Sequence, residues 1–128
     1  MKYAVLLLAL MFVWVATPSM AQKLTFEFEG ETIEVAKKDF PKPMNWDDAK
    51  KACENLGNGW RLPSIEELKA MYEQLHKQGK GNFQNTWYWS SSQDNSGDAF
   101  FVNFYFGYDC SLYNRFDDYH ARAVRTLP

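Results

Sequence analysis

The sequence lacks a basic excess, an internal repeat and a low-complexity linker, and each absence excludes a class of protein. Its 14 Lys and Arg are outnumbered by 16 Asp and Glu, which leaves a formal net charge of −2. This balance argues against a protein that neutralises the phosphates of a nucleic acid. Without repeats or linkers, 128 residues correspond to one domain, and a hydrophobic content of 46% suffices to bury a core.

Catalytic motifs are missing as well. No Ser-His-Asp or Cys-His arrangement has motif support, and there is no G-x-S-x-G sequence. Of the two histidines, His76 is predicted on the solvated face of a helix and His120 in a loop. We therefore predict that the protein is not an enzyme and needs no cofactor. The alternative is a secreted hydrolase in which Asp117, Asp118 and His120 are the reacting groups.

One oxygen-rich segment, Asp94 to Asp98, has the composition of a calcium-binding loop. It lacks the bidentate glutamate that ends an EF-hand loop, because Tyr105 stands at that position. A plain solvated turn is the favoured interpretation, and we predict no metal site.

The first 21 residues have the organisation of a signal peptide. Lys2 precedes an apolar run over residues 4–16 that is too short to span a bilayer, and Ala21 closes a stretch that fits a cleavage site. We predict that residues 1–21 are removed and that residues 22–128 are exported as a single domain, so that membrane contact ends with cleavage. The alternative is an uncleaved N-terminal anchor, which would also place the domain outside the cytoplasm.

The pattern of apolar residues predicts a β-hairpin followed by two helices. Apolar and polar residues alternate on both sides of a turn at Gly30. Asn45 is a good N-cap for the first helix, and Ser64 and Glu67 form a capping box for the second. The buried positions are predicted to be Trp46, Ala49, Cys53 and Leu56 in the first helix and Ile65, Leu68, Met71 or Tyr72, and Leu75 in the second.

The remainder of the chain has β character. Strands are predicted from Trp87 to Ser91, from Ala99 to Phe106 and from Ala121 to Arg125. In the middle strand the even residues are predicted to face the core and the odd ones solvent. The even residues are Phe100, Val102, Phe104 and Phe106, and the odd ones are Phe101, Asn103 and Tyr105. The predicted class is α+β, with two helices packed on antiparallel sheets and the N- and C-terminal strands adjacent.

Several short motifs resemble those of a known family. They are Asn45-Trp46-Asp47-Asp48-Ala49, Gly59-Trp60-Arg61-Leu62-Pro63-Ser64 with Glu66-Glu67-Leu68, Tyr88-Trp89-Ser90-Ser91-Ser92, Val102-Asn103-Phe104 with Gly107, and Arg122-Ala123-Val124-Arg125. In this order they resemble the Lcl C-terminal domain family, also called the Fibrobacter succinogenes major paralogous domain, over about residues 45–126. The resemblance implies a C-type-lectin-like fold, related to that of the formylglycine-generating enzymes, and extracytoplasmic binding. We interpret Arg122 and Arg125 as structural hydrogen-bond donors.

Five residue types disappear towards the C-terminus. Lys, Glu, Gln, Met and Trp account for 28 of the 72 residues from 22 to 93 and for none of the 35 residues from 94 to 128. Strands disfavour Lys and Glu but favour Trp, so structural propensity does not explain the loss of all five. These are the five residues that no codon ending in C encodes. The segment therefore resembles the variable region of the target proteins of diversity-generating retroelements, which carry it at the end of a C-type-lectin-like domain.

Such a segment would present a binding surface. Tyr and Phe supply rigid contact area, and Ser, Asn and Asp supply adaptable hydrogen bonds. Burial in the core is the alternative for the aromatic residues, and we favour it for Phe100, Phe104 and Phe106. The predicted ligand-binding residues are Phe101, Asn103, Tyr105, Tyr108, Asp109, Ser111, Leu112, Tyr113, Asn114, Arg115, Asp117, Asp118, Tyr119 and His120.

Two cysteines, Cys53 and Cys110, allow a disulfide in an oxidising compartment. The resemblance implies that a cysteine on the first helix commonly pairs with one in the last strand, where this chain has Ala123. Two arrangements remain open, a Cys53–Cys110 bridge and a buried Cys53 with an exposed, free Cys110.

The sequence thus predicts an exported binding protein, secreted, periplasmic or on a bacterial cell surface. Its strand-loop surface at about 101–120 is predicted to contact a protein or glycan ligand on another cell, phage or host surface. The alternative is a non-diversified, lectin-like adhesin that binds glycans. The resemblance implies sulfated glycans for some members, but the net negative charge and the single loop arginine, Arg115, argue against them here.

Overall fold

The computed structural model describes residues 22–111 and 116–128 of the chain. The predicted signal peptide, residues 1–21, lies outside the described residues. The same holds for four of the predicted ligand-binding residues, Leu112, Tyr113, Asn114 and Arg115. Between residues 22 and 111 and from 116 onward, no helix has both the length and the apolar character needed to cross a membrane.

Helices and strands follow the predicted order with two differences: a short strand, Tyr108–Cys110, lies in a segment predicted as a loop, and the last strand begins at Val124 instead of Ala121. The helices and strands are β1 (Leu24–Phe28), β2 (Glu31–Val35), α1 (Trp46–Glu54), α2 (Ile65–Gln74), a short 3₁₀ helix (His76–Gln78), β3 (Trp87–Gln93), β4 (Ala99–Asn103), β5 (Tyr108–Cys110) and β6 (Val124–Thr126). The strands form two antiparallel sheets in the described part of the chain, with orders β1-β2-β6 and β3-β4-β5. The α+β class is confirmed, and the pairing of β6 with β2 confirms that the two ends of the domain are adjacent.

Local chemistry explains the hairpin and the helix starts. Glu29 and Gly30 both have positive φ, 50° and 77°, which is the geometry of the two-residue turn that matches the twist of the flanking strands. The Asn45 side chain accepts a hydrogen bond from the Asp48 N–H, and the predicted capping box closes at Ser64. These turns and caps were predicted correctly because each depends on only a few neighbouring residues.

The second sheet is buried on both faces between two hydrophobic clusters. The sheet cluster packs β1, β2 and α2 against one face of β3 and β4, and the helix cluster packs α1 against the other face. Members of the sheet cluster are Phe26, Ile33, Val35, Ile65, Leu68, Met71, Leu75, Tyr88, Val102, Phe104 and Val124. Members of the helix cluster are Trp46, Ala49, Cys53, Leu62, Trp89, Ala99, Phe101, Ala121 and Ala123. The predicted buried stripe of α2 is confirmed, but that of α1 is wrong at Leu56, which is 48% exposed because the helix ends at Glu54.

The strand predicted from Ala99 to Phe106 is shorter than expected. It ends at Asn103, whose carbonyl oxygen accepts a hydrogen bond of 2.6 Å from the N–H of Gly107. This bond closes a turn in which the alternation of faces stops. Phe104 is buried as predicted, but Phe106 is exposed, so its predicted place in the core is wrong.

The prediction of a solvated face for His76 is also wrong. Its ring is half-buried, with centroids 5.8 Å from Tyr72, 6.1 Å from Phe83 and 5.3 Å from Phe104. Nε2 lies 2.8 Å from Oδ1 of Asn85. The helical pattern placed His76 close to the end of α2 but did not show that the loop containing Phe83 packs against its ring.

Both cysteines are free thiols, so the Cys53–Cys110 bridge is wrong for this structure. Cys53 is enclosed by the helix cluster, whereas Cys110 lies at the rim of that cluster, opposite Phe101 of β4. Burial, aided by the negative charge of Glu54, raises the pKa of the Cys53 thiol to about 12. Protonated, buried thiols are poor nucleophiles.

We therefore expect one thiol of the folded chain to react with a chromogenic disulfide reagent at neutral pH, and both to react in denaturant. The serine variant Cys110→Ser should abolish the native reaction, and Cys53→Ser should leave it unchanged. Finding no free thiol in denaturant without reductant would contradict this expectation and restore the disulfide.

Glu67 joins the start of α2 to Arg61 in the connection between the two helices. Its carboxylate oxygens accept hydrogen bonds from both terminal nitrogens of Arg61, at 2.7 and 2.9 Å, and one accepts from the Ser64 N–H. Burial by itself raises the pKa of Glu67, but these hydrogen bonds and the positive charge of Arg61 outweigh it and hold the pKa below its usual value. The carboxylate therefore stabilises the fold above its unfolded pKa, about 4.3, and this contribution is lost as the pH falls through the lower folded pKa.

We expect the urea midpoint of the wild type to fall more steeply below pH 4 or so than that of Glu67→Gln, because the variant has no carboxylate to protonate. Unfolding curves recorded from neutral to acid pH check this. The control Glu73→Gln, on the exposed face of the same helix, should keep the wild-type acid slope. Parallel slopes for wild type and Glu67→Gln would show that Glu67 is not ion-paired in solution.

Candidate ligand-binding surface

Strand register aligns six side chains on one face of the second sheet. Residues directly opposite each other in neighbouring strands point to the same face. The outer row, at the end of the sheet, is Trp87, Asn103 and Tyr108, and the inner row is Trp89, Phe101 and Cys110. The helix cluster covers the inner row, and the outer row extends beyond it. The odd-numbered face predicted for β4 is therefore the face on which the candidate site lies.

Phe101 is not part of the exposed surface, so its predicted role in ligand binding is wrong. It is 6% exposed, because the chain returns across this face and places the ring of Tyr119 4.7 Å from that of Phe101. Tyr119 is held there by two backbone hydrogen bonds with Met44 and by ring contacts of 4.5 Å to Trp89 and 5.1 Å to Trp87. Alternation along β4 assigned Phe101 to the correct face of the sheet. The side chain is buried because Tyr119, which is distant in sequence, packs over it.

Several aromatic side chains in the outer row and after it in sequence are exposed. We call this set the aromatic surface: Trp87, Tyr105, Phe106, Tyr108 and Phe116, which are 44% to 85% exposed. Tyr105 and Phe106 lie 4.6 Å apart between ring centroids, and Phe106 and Tyr108 lie 6.0 Å apart. Elsewhere in residues 22–111 and 116–128, Leu56 is the large hydrophobic side chain with comparable exposure.

The turn that carries Tyr105 and Phe106 rests on a rigid base. Phe104 is buried beneath it, 4.6 Å from Tyr88 between ring centroids, and Asn103 Oδ1 accepts a hydrogen bond from the Tyr105 N–H. Gly107 has a φ of +83°, and a Cβ there would lie 2.4 Å from the Tyr72 ring. Glycine is thus required both by the backbone conformation and by the close approach of α2. The exposed rings are held in place before any ligand arrives.

Asp109 and Ser111 lie apart from the aromatic surface, contrary to the predicted single site. Asp109 alternates with Tyr108 and faces α2, where Lys69 Nζ lies 3.2 Å from its carboxylate. Ser111 Oγ donates a hydrogen bond of 2.8 Å to Asp94. This bond, together with backbone N–H groups of the following turn, lowers the pKa of Asp94. Both predicted ligand contacts are therefore engaged in the scaffold.

The segment from Asp94 to Asp98 has the geometry of a solvated turn. One carboxylate oxygen of Asp94 accepts hydrogen bonds from the N–H groups of Ser96 and Asp98, and the other accepts from Ser111. Across the part of the chain that the structure describes, no group of three or more His, Cys, Asp or Glu side chains is placed to hold a metal ion.

The three residues of the hydrolase alternative are not arranged as a catalytic group. Asp117 and Asp118 are exposed, whereas the His120 ring is half-buried, 5.9 Å from the ring of Tyr88. No hydrogen bond or ion pair joins His120 to either carboxylate among the described residues. The backbone of His120 instead pairs with Trp87 and Trp89, which anchors the returning segment to β3.

Sequence reasoning missed two members of the aromatic surface that the structure brings in, Trp87 and Phe106. Trp87 and Trp89 share a face by alternation, and only one of them fits under the returning segment. Gly107 could have indicated that the strand ends early and that Phe106 leaves the core. Alternation was instead assumed as far as Phe106.

Comparisons with known proteins bear on family and fold. The sequence profile described as the Lcl C-terminal domain matches residues 11–125. No curated protein matches the chain. The crystal structure of botrocetin is similar, with a TM-score of 0.50 and 20% identity over 81% of this chain and 96% of that chain. Botrocetin has a C-type-lectin-like fold, and the likeness confirms that fold here.

Proposed function

The chain belongs to the Lcl C-terminal domain family, and on this premise we propose that it is an exported, non-enzymatic protein whose aromatic surface binds a macromolecular ligand, either a protein or a glycan. The family and the C-type-lectin-like fold fit a ligand-binding protein in general. The location of the binding site and the class of its ligand are argued from the aromatic surface itself.

One observation carries the proposal: Tyr105, Phe106 and Tyr108 are exposed side by side at the end of the second sheet, and Trp87 in the same row and Phe116 further along the chain are exposed as well. A soluble domain that leaves such a group open to water usually uses it as an interaction site. Tyr and Trp are suited to this role because they offer large contact area at low conformational-entropy cost.

The shape of the site favours a macromolecule over a small molecule. Small ligands are usually bound in concave cavities that bury most of their surface. The rings of the aromatic surface project into solvent, 44% to 85% exposed. A surface of projecting rings instead suits a partner that is itself large.

The compositional break supports diversification of this surface. Tyr105, Phe106, Tyr108 and Phe116 all lie in the segment 94–128, which lacks Lys, Glu, Gln, Met and Trp. The codons of these exposed positions should end in C, and a near-copy of the coding segment should lie close by in the genome. Codons that end in other bases at these positions would contradict the diversification hypothesis. They would not affect the proposal that the aromatic surface binds a ligand.

Binding is tested by screening the purified chain against arrays of glycans and of cell-surface proteins, and by titrating the strongest ligand found. The double variant Tyr105→Ser/Tyr108→Ser is expected to weaken binding at least about tenfold, because the rings supply most of the contact area. Its urea midpoint should stay close to that of the wild type, since both side chains are exposed.

The matched control is Leu56→Ser, which removes an exposed hydrophobic side chain outside the aromatic surface. It should bind like the wild type. A double variant that folds and binds every captured ligand as tightly as the wild type would refute the role of the aromatic surface.

A further inference from the structure

We propose that the aromatic surface is selective for a positively charged protein segment, one that presents arginine or lysine side chains. This inference rests on the proposed function and names the chemistry of its ligand. Two features carry it, a pair of exposed carboxylates that form no ion pair with a lysine or arginine of residues 22–111 and 116–128, and a set of aromatic faces open to solvent.

The carboxylates belong to Asp117 and Asp118. Both are exposed, and no lysine or arginine of the described residues forms an ion pair with either. Asp117 Oδ2 lies 3.3 Å from the hydroxyl of Tyr119, which donates to it. Because the ring of Tyr119 contacts that of Trp87 at 5.1 Å, this negative charge is placed beside the aromatic surface.

The charge balance near the surface is negative. Lys69, the cation that reaches β5, is engaged with Asp109. From residue 105 to residue 120 the sequence contains three Asp and one Arg. A sulfated glycan, a nucleic acid or an acidic protein would meet net repulsion here, whereas a basic segment would meet complementary charge.

Exposed aromatic faces favour the same partner. An ammonium or guanidinium group is attracted to the face of an aromatic ring, most strongly for Trp, and the guanidinium plane also stacks on it. Trp87, Tyr105 and Tyr108 are each 44% or more exposed. Because Asp117 is linked to Trp87 through Tyr119, an arginine that stacks on Trp87 also meets the charge of Asp117, which gives a neutral glycan no comparable gain.

The test uses two synthetic peptides of equal length as probes, one alternating Gly and Arg and the other alternating Gly and Gln. Binding to the purified chain is measured at low salt and again at physiological salt. We expect the arginine peptide to bind at least about tenfold more tightly than the glutamine peptide, and to weaken as salt is added. Equal binding of the two peptides, or no binding of either, would overturn the inference.

Matched variants distinguish the effect of the protein's net charge on binding from the effect of the carboxylates at the site. Asp117→Asn/Asp118→Asn and the control Glu29→Gln/Glu54→Gln both remove two exposed carboxylates, but only the first pair adjoins the aromatic surface. The first is expected to weaken the arginine peptide about tenfold and the control no more than about twofold. Equal losses would show non-specific attraction and refute selectivity.

Failure here is distinguishable from failure of the proposed function. A captured natural ligand that is a neutral glycan or an acidic protein, and that still requires Tyr105 and Tyr108, would leave the aromatic surface as the binding site and overturn its selectivity for basic segments.

Discussion

Replacing Arg122 by methionine is expected to lower the free energy of unfolding by about 3 to 5 kcal/mol, the cost of breaking a buried ion pair by removing one partner. The side chain is 1% exposed. Its Nε donates to an Asp39 carboxylate oxygen at 2.7 Å, and its terminal nitrogens donate to the carbonyl oxygens of Ala36, Gly81 and Asn82. The variant would leave Asp39 as a buried charge without its cation and would remove the side-chain hydrogen bonds from the returning segment to two loops.

Arg125→Met is the matched control, three residues further along the chain. Its ion pair with Glu34 has the same 2.7 Å length but is partly exposed to solvent, so the expected loss is about 1 kcal/mol or less. Urea unfolding followed by tryptophan fluorescence measures both. If the two variants lose equal stability, the buried interactions of Arg122 contribute no more to the free energy of unfolding than a surface ion pair.

Replacing Trp89 by alanine in the wild-type chain is expected to lower the free energy of unfolding by about 3 to 5 kcal/mol. Other large-to-small substitutions of fully buried aromatic residues have a similar cost. The indole is enclosed by the helix cluster, and its Nε1 donates to the carbonyl oxygen of Met44 at 2.7 Å. Tyr119 packs on the indole at 4.5 Å. The cavity would therefore also remove the support of the segment that leads to Asp117 and Asp118.

Trp87→Ala offers a control of the same residue type in the same strand. Because Trp87 is 44% exposed and packs with one side on Phe101 and Tyr119, the substitution should cost about 1 to 2 kcal/mol, clearly less than Trp89→Ala. Chemical unfolding with circular dichroism as the probe avoids the loss of the fluorophore. A stability loss for Trp87→Ala equal to that for Trp89→Ala would place Trp87 in the core and remove it from the aromatic surface.

The features that the sequence predicted well are those decided by a few consecutive residues. The Glu29-Gly30 turn requires two residues that tolerate positive φ, and the capping box requires Ser64 and Glu67 three positions apart. Arg122 was correctly interpreted as structural because a rigid guanidinium fork suits holding loop carbonyls and carboxylates, which are its observed acceptors. None of these depends on where the chain goes later.

The candidate site was predicted less completely, because exposure depends on segments that are remote in sequence. Tyr105 and Tyr108 are exposed as expected, but Phe101 lies on the correct face and is buried by Tyr119. Asp109 has the residue type of a ligand contact and is engaged by Lys69 on α2. Phe106 leaves the core because the strand stops at Asn103.

By itself the sequence determined the order of helices and strands, the family, and the change in composition at residue 94, since each is written in local residue choice. Only the tertiary structure decided which aromatic residues face water, how Arg122 is surrounded and that the two cysteines stay apart. Alternation along a strand assigns a side chain to a face of the sheet. Whether that face is covered depends on the chain that crosses it. Here Tyr119 covers Phe101 of β4 and touches the edge of Trp87, whereas Tyr105 and Tyr108 remain exposed.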